Sequence, residues 1–394
     1  MNIFYEKEKK KSFYLTYTVF MLNGMLALSI GALLPFIRDA RGLEYAFCGF
    51  IVSLHSVGNL VSSFAAGALP VIIGRKRSIL LFDSCFAAAY LLILFGKSPL
   101  ILALAFFMTG LARGATSNYC NAQINSLAPG KAWLINGLHA AFSVGAFLFP
   151  ILLTILTMNR EDNWVVACGF MLIMGILSWI LYFLMPQGEK TSGKNQEDRK
   201  GTGFLREPLF YLCIITLFFY LCAEQGVIGW MITYFKDTGL LNPALSQITA
   251  SVLWIMILAG RLITAWLSTR TAKDKLLPVM GIGLVFFFLV LIMSRSTGLI
   301  VFGIMGFGLS MAGIYPTTVS FSGQLIEKYP IAWSFILTGA SLGSIIMPSV
   351  IGRIAESAGI FYGMSSIAAV VIIDLVCIIG LVIYMGKKGD KCEK

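Results

Sequence analysis

From residue 1 to 185, and again from 209 to 394, this chain consists of apolar runs of about 20 residues, broken by brief charged or Gly- and Pro-bearing interruptions. Only one long interval lacks apolar character. It reads PQGEKTSGKNQEDRKGTGFLREP, residues 186–208, and nine of its residues are charged. Such a stretch cannot bury enough surface to offset the entropy of ordering it. A flexible linker joining two hydrophobic halves is therefore expected.

The sequence is 58% hydrophobic and 12% charged, with a mean hydropathy of +0.83. A soluble protein cannot hide so much apolar side chain, whereas a bilayer removes the need. The runs divide into twelve spans. Six precede the linker: Ser12–Ile37, Tyr45–Ile73, Ser78–Gly96, Pro99–Ser126, Ala132–Thr157 and Trp164–Met185. Six follow it: Leu209–Phe235, Pro243–Thr269, Leu276–Met293, Gly298–Leu325, Ile331–Ile354 and Ile360–Met385. The fold expected is an all-α membrane protein, a first half over 1–185, a cytoplasmic linker over 186–208 and a second half over 209–394.

A net charge of +11 does not point to nucleic acid, because the cations sit between spans rather than on one polar face. With the N-terminus inside, 21 Lys and Arg fall on the inner side and 7 on the outer, Arg113 and Arg261 lying within spans. Positive residues favour the cytoplasmic side, so both termini and the linker are expected there, in a plasma membrane. The basic start (Lys7, Lys9, Lys10, Lys11) runs into a segment too long for the apolar region of a cleavable signal peptide. The eight cysteines show neither disulfide nor metal spacing. Paired carboxylates, a nucleophile–base pair, a metal-ligand cluster and a phosphate loop are all missing from the pattern, so no enzyme, metal or cofactor is expected.

Five stretches carry a resemblance. GALPVIIGRKR, Gly67 to Arg77, resembles the loop between the second and third helices of the major facilitator superfamily, with Gly67, Gly74, Arg75, Lys76 and Arg77 in place and the family's acid replaced by Val71. Asp83 is the nearby candidate for the missing counter-charge. GLARGATSNYCNAQINS, Gly110 to Ser126, and the span holding Asn136, His139, Phe142, Gly145 and Pro150 resemble the sugar-permease branch typified by the fucose–proton symporter. Branch members commonly carry an acid where this chain has Ser117. FFYLCAEQGVIGWMITYF, Phe218 to Phe235, is similar to the branch's seventh helix, and Gly260-Arg261 to the second copy of the basic loop.

The resemblance implies two pseudo-symmetric six-helix halves that rock about a solute site, lined by spans one, four, seven and ten. The polar residues within those spans are Asn23, Arg113, Asn118, Asn121, Gln123, Glu224, Gln225 and Tyr315. Asn23, Arg113, Asn118, Asn121, His139, Glu224, Gln225, Trp230 and Tyr315 form the expected solute site, with Trp230, Phe142 and Trp254 as stacking surfaces. Glu224 is the candidate proton carrier, since a carboxylate in mid-membrane is expensive, and a partnership with Arg113 would lower that cost. Asp374, in the last span, is read as facing a neighbour or reaching toward the interface.

The function this implies is secondary transport of a small polar solute, a sugar or sugar derivative, coupled to protons, by a monomer in contact with lipid. Amides and hydroxyls, which donate and accept, suit such a ligand. Arg113 keeps two alternatives open, a carrier of small organic anions and an exporter of amphipathic compounds. A non-transporting membrane sensor is the remaining one. Substrate identity, direction and coupling ion are not legible in the sequence.

Overall fold

The computed structural model describes residues 2–128, 132–186, 202–329 and 331–392. Most of the expected linker, positions 187–201 with Lys194 among them, lies outside the described residues, as does Lys131. The first compact unit is Met1–Ser192 and the second Gly193–Lys394. Among the described residues all regular structure is helical, and twelve stretches are long and apolar enough to cross a membrane.

In the first unit the helices are α1 (Asn2–Arg41), α2 (Tyr45–Ile73), α3 (Arg75–Phe95), α4 (Pro99–Leu127), α5 (Ala132–Thr157) and α6 (Trp164–Leu184). The second has α7 (Pro208–Asp237), α8 (Pro243–Leu267), α9 (Lys273–Met293), α10 (Thr297–Met311), α11 (Ile314–Phe321), α12 (Gly323–Lys328), α13 (Ile331–Ala358) and α14 (Ile360–Cys392). Local chemistry sets several starts. Ser98 accepts from the Ile101 amide at 3.3 Å ahead of Pro99, and Asn242 from the Leu245 amide at 2.8 Å ahead of Pro243. A side-chain acceptor followed by proline at the first helical position is a strong start signal. α1 begins ten residues earlier than the apolar run, because Glu and Lys are good helix formers and no Gly or Pro intervenes.

The two units repeat one packing scheme. In the first, α1 packs on α5, α2 on α4, and α3 on α4 and α6; in the second, α7 packs on α13, α8 on α10, and α9 on α10 and α14. Gly145 of α5 faces the Met21 carbonyl of α1, and Gly343 of α13 faces the Phe218 carbonyl of α7. A Cβ at either place would overlap a backbone oxygen, so these crossings need glycine. Outward faces stay apolar: Val71, Leu100, Ile155 and Ile173 are exposed, as suits contact with acyl chains.

Two expectations need correction. The tenth span is not one helix: it breaks at Ala312-Gly313, where Gly313 fits against Thr264 and Met280 with no room for a side chain. The linker's end is also structured. Gly203–Arg206 forms a 3-10 turn whose Phe204 is 1% exposed and packs with Phe210, Leu217 and Ile336. One large apolar side chain in a polar stretch gave it something to bury.

Candidate functional site

α4 lies close against α2 because Gly110 faces the His55 carbonyl, where a Cβ would collide. That crossing sets the His55 ring between two side chains of α4. Thr109 Oγ1 donates to the Phe106 carbonyl at 2.6 Å and stands 2.8 Å from His55 Nδ1. Arg113 lies one turn beyond Thr109, with its Nη1 3.3 Å from His55 Nε2. From α1, Asn23 donates to the Arg113 backbone carbonyl at 3.3 Å. Three helices thus converge on one guanidinium-bearing residue. Asn23 is 2% exposed, and its Oδ1 has no hydrogen-bond partner among the described residues.

The other amides of α4 are engaged elsewhere. Asn118 is exposed and donates to the Ser63 carbonyl of α2 at 3.0 Å, and Asn121 donates to Ser117 of its own helix at 2.8 Å. Gln123 is buried and accepts from Arg75 at 2.6 Å, which places it in the scaffold rather than with solute-facing groups. His139 of α5 meets Phe20 of α1 edge-on at 5.6 Å, and Phe142 packs against the same ring at 5.4 Å.

In the second unit, Tyr220 and Glu224 lie one turn apart on α7, and the Tyr220 hydroxyl donates to Glu224 Oε1 at 3.3 Å. Tyr315, at the start of α11 just past the helix break, brings its ring to 6.0 Å from that of Tyr220. Arg261 of α8 is within electrostatic reach of Tyr220, and its side chain makes no hydrogen bond or ion pair among the described residues. Gln225 is half-buried beside Glu224. Trp230 departs from its expected role. It is 0% exposed, and its indole nitrogen donates to the Pro348 carbonyl at 3.1 Å, so it is a core residue with no open face for stacking. Phe142 and Trp254 are likewise buried.

The basic loop turns on Gly74, whose φ of 86° is a conformation that side chains resist. It is the one residue between α2 and α3. Lys76 donates to the Phe183 carbonyl at 2.7 Å and sits 4.8 Å from that ring's centre, while Gly67 and Arg77 are exposed. Val71, which stands in place of the family's acid, is 87% exposed. Asp83 does not replace that acid: it is buried and accepts from Ser178 of α6 at 2.9 Å, whereas Arg75 is met by Gln123. Asp374 does not reach toward the interface either. It is fully buried, and neither carboxyl oxygen has a hydrogen-bond partner among the described residues.

Sequence reading did not assign Thr109 or Tyr220 to a site. The pairs Thr109/Arg113 and Tyr220/Glu224 are each four residues apart, a spacing that stacks side chains on one helix face. That signal was present. The approach of His55 to Arg113, 58 positions away, left none.

A family model described as Major Facilitator Superfamily matches residues 15–325. A protein from Yersinia pseudotuberculosis serotype O:1b (strain IP 31758), named Protein TsgA homolog, is 22% identical over 362 residues, 90% of either chain. Among solved structures, the nucleoside transporter NupG is similar with a TM-score of 0.81 at 11% identity, over 95% of this chain and 99% of that one. The D-xylose–proton symporter is similar with a TM-score of 0.77 at 12% identity, over 94% and 96%.

Proposed function

Because this chain belongs to the Major Facilitator Superfamily, a family of transporters rather than enzymes, we propose that the small solute it carries is a sugar or sugar derivative. It moves by alternating access, with Glu224 as the proton-coupling group. The observation that carries the reading is the company kept by the mid-span charges. Arg113 is met by His55 and Asn23, and Glu224 by Tyr220 with Tyr315 behind it. Hydroxyl, amide and imidazole groups around a charge offer donors and acceptors together, the mixture that binds a hydroxylated ligand. Solved relatives named for xylose and for nucleosides support starting from polar solutes of this kind.

The protein is an integral membrane protein. Its cations, 21 against 7 across the spans, support a cell-membrane location with both termini cytoplasmic. It works as a monomer in contact with lipid and exchanges protons with the aqueous phases.

Exchange of radiolabelled sugars into proteoliposomes tests this reading. Saturable exchange, driven to accumulation by an imposed proton gradient, is the expected result. Binding without flux would assign the chain to sensing instead.

A further inference from the structure

One row of α8 is buried at Ala250, Trp254 and Ile257. Steps of four, three and four residues carry that row on to Arg261, so its side chain leaves from the buried face of the helix. Leu262, Ile263 and Trp266 lie on the other side, are each more than half exposed, and form the apolar outer face. Arg261 is only half-buried, which keeps its guanidinium reachable on the inner row. It is within electrostatic reach of Tyr220 of α7, yet its side chain makes no hydrogen bond or ion pair among the described residues. Tyr220 supplies no counter-charge, because its one hydroxyl proton goes to Glu224 and what remains is a neutral oxygen. Other cations of this chain are met: Arg113 by His55, Arg75 by Gln123 and Lys273 by the Ser320 carbonyl. A guanidinium inside a span with five unanswered N–H donors is costly unless something outside the protein answers them.

We propose that Arg261 binds an anionic group of the solute, a carboxylate or a phosphate. This rests on the transporter reading above and gives its sugar derivative a charge: a sugar acid or sugar phosphate rather than a neutral sugar. The chemistry suits the residue, since a guanidinium meets either anion with two parallel hydrogen bonds. Tyr315, half-buried with its ring 6.0 Å from that of Tyr220, adds an aromatic wall on the same side of α7. Arg261 also stands six residues from the end of α8, so the phosphate of a lipid headgroup is a second source of the same chemistry. The row it belongs to favours the solute, because the lipid-facing side of α8 is held by Leu262, Ile263 and Trp266.

Calorimetric titration of the purified full chain with glucose, glucuronate, glucose phosphate and succinate tests the proposal, alongside exchange of each probe in proteoliposomes. One charged sugar should bind at least about tenfold more tightly than glucose, the ratio that one good charged contact supplies. Which one binds tells carboxylate from phosphate. Arg261→Gln should reduce that ligand to the affinity of glucose. Arg261→Lys, which keeps the charge without the planar fork, should fall between the two. Neither variant should lower the melting temperature, because Arg261 gives up no partner within the protein; an arginine with a structural role would. If Arg261→Gln does not fold, Arg261→Lys must weaken the charged sugar and leave glucose unchanged.

Equal binding of glucose and both charged sugars by the wild type, or charge preference surviving in Arg261→Gln, overturns the inference while transport of sugars stands. Phosphatidylglycerol retained by the purified wild type and lost from Arg261→Gln, with no charge preference among the sugars, gives the site to a lipid headgroup and overturns it too. Binding of succinate with no sugar of any charge, abolished in Arg261→Gln, keeps the anion site and removes the sugar reading. No binding or exchange with any of the four probes overturns both.

Discussion

The Arg75 guanidinium donates to the side-chain oxygen of Gln123 across 2.6 Å, joining the first residue of α3 to the last turns of α4. The basic loop is thereby tied to α4 by an amide rather than by a carboxylate. A hydrogen bond to a charged group contributes about 1.5–3 kcal/mol. Gln123→Leu should therefore lower the thermal unfolding temperature while leaving solute affinity of the folded protein unchanged, and Gln123→Glu should restore stability. Lost affinity at unchanged stability would return Gln123 to the solute site.

Trp230→Phe should behave in the same sense for a different reason. It removes a buried indole donor to Pro348, a loss of about 1 kcal/mol, and it does not touch an open surface. Thermal unfolding with titration of a bound solute checks this. A drop in affinity of tenfold or more would mean that Trp230 becomes exposed during transport.

Asn121 and His139 remain proposed solute contacts, the first donating to Ser117 of its own helix and the second edge-on to Phe20. Asn121→Ala and His139→Ala should each cost about 1–3 kcal/mol of binding, roughly ten- to a hundredfold in affinity. The yield of folded protein should not fall. Wild-type affinity in both variants removes them from the site.

Glu224→Gln should keep solute exchange across vesicles and lose accumulation driven by a pH gradient, since the amide accepts no proton but still receives the Tyr220 hydroxyl. Normal accumulation by this variant would place coupling elsewhere.

Topology is tested by single cysteines at positions 160 and 194, in a background without the native thiols, labelled from either side of sealed vesicles. The positions should label from opposite sides, with 194 on the same side as both termini. Labelling from one side alone contradicts the six-plus-six arrangement.

The spans were legible because membrane crossing is written locally. About 20 apolar residues suffice, and charges at their ends set the direction. Family motifs also survive in order, so the repeat could be read from the basic loop at Gly67–Arg77 and its second copy at Gly260-Arg261. The partners of the polar groups were not legible. Asn118, Asn121 and Gln123 share one helix and one side-chain chemistry, yet one serves α2, one its own backbone and one the basic loop.

The sequence by itself determined that this chain crosses a membrane twelve times as two related units, because apolar length is a property of each segment alone. Tertiary structure alone decided what each polar side chain does. Arg113 meets His55 from 58 positions away, through a helix crossing where Gly110 leaves room for a backbone, and Asn23 from 90. A buried hydrogen bond depends on direction and on distances of about 3 Å, and no periodicity in the sequence specifies those.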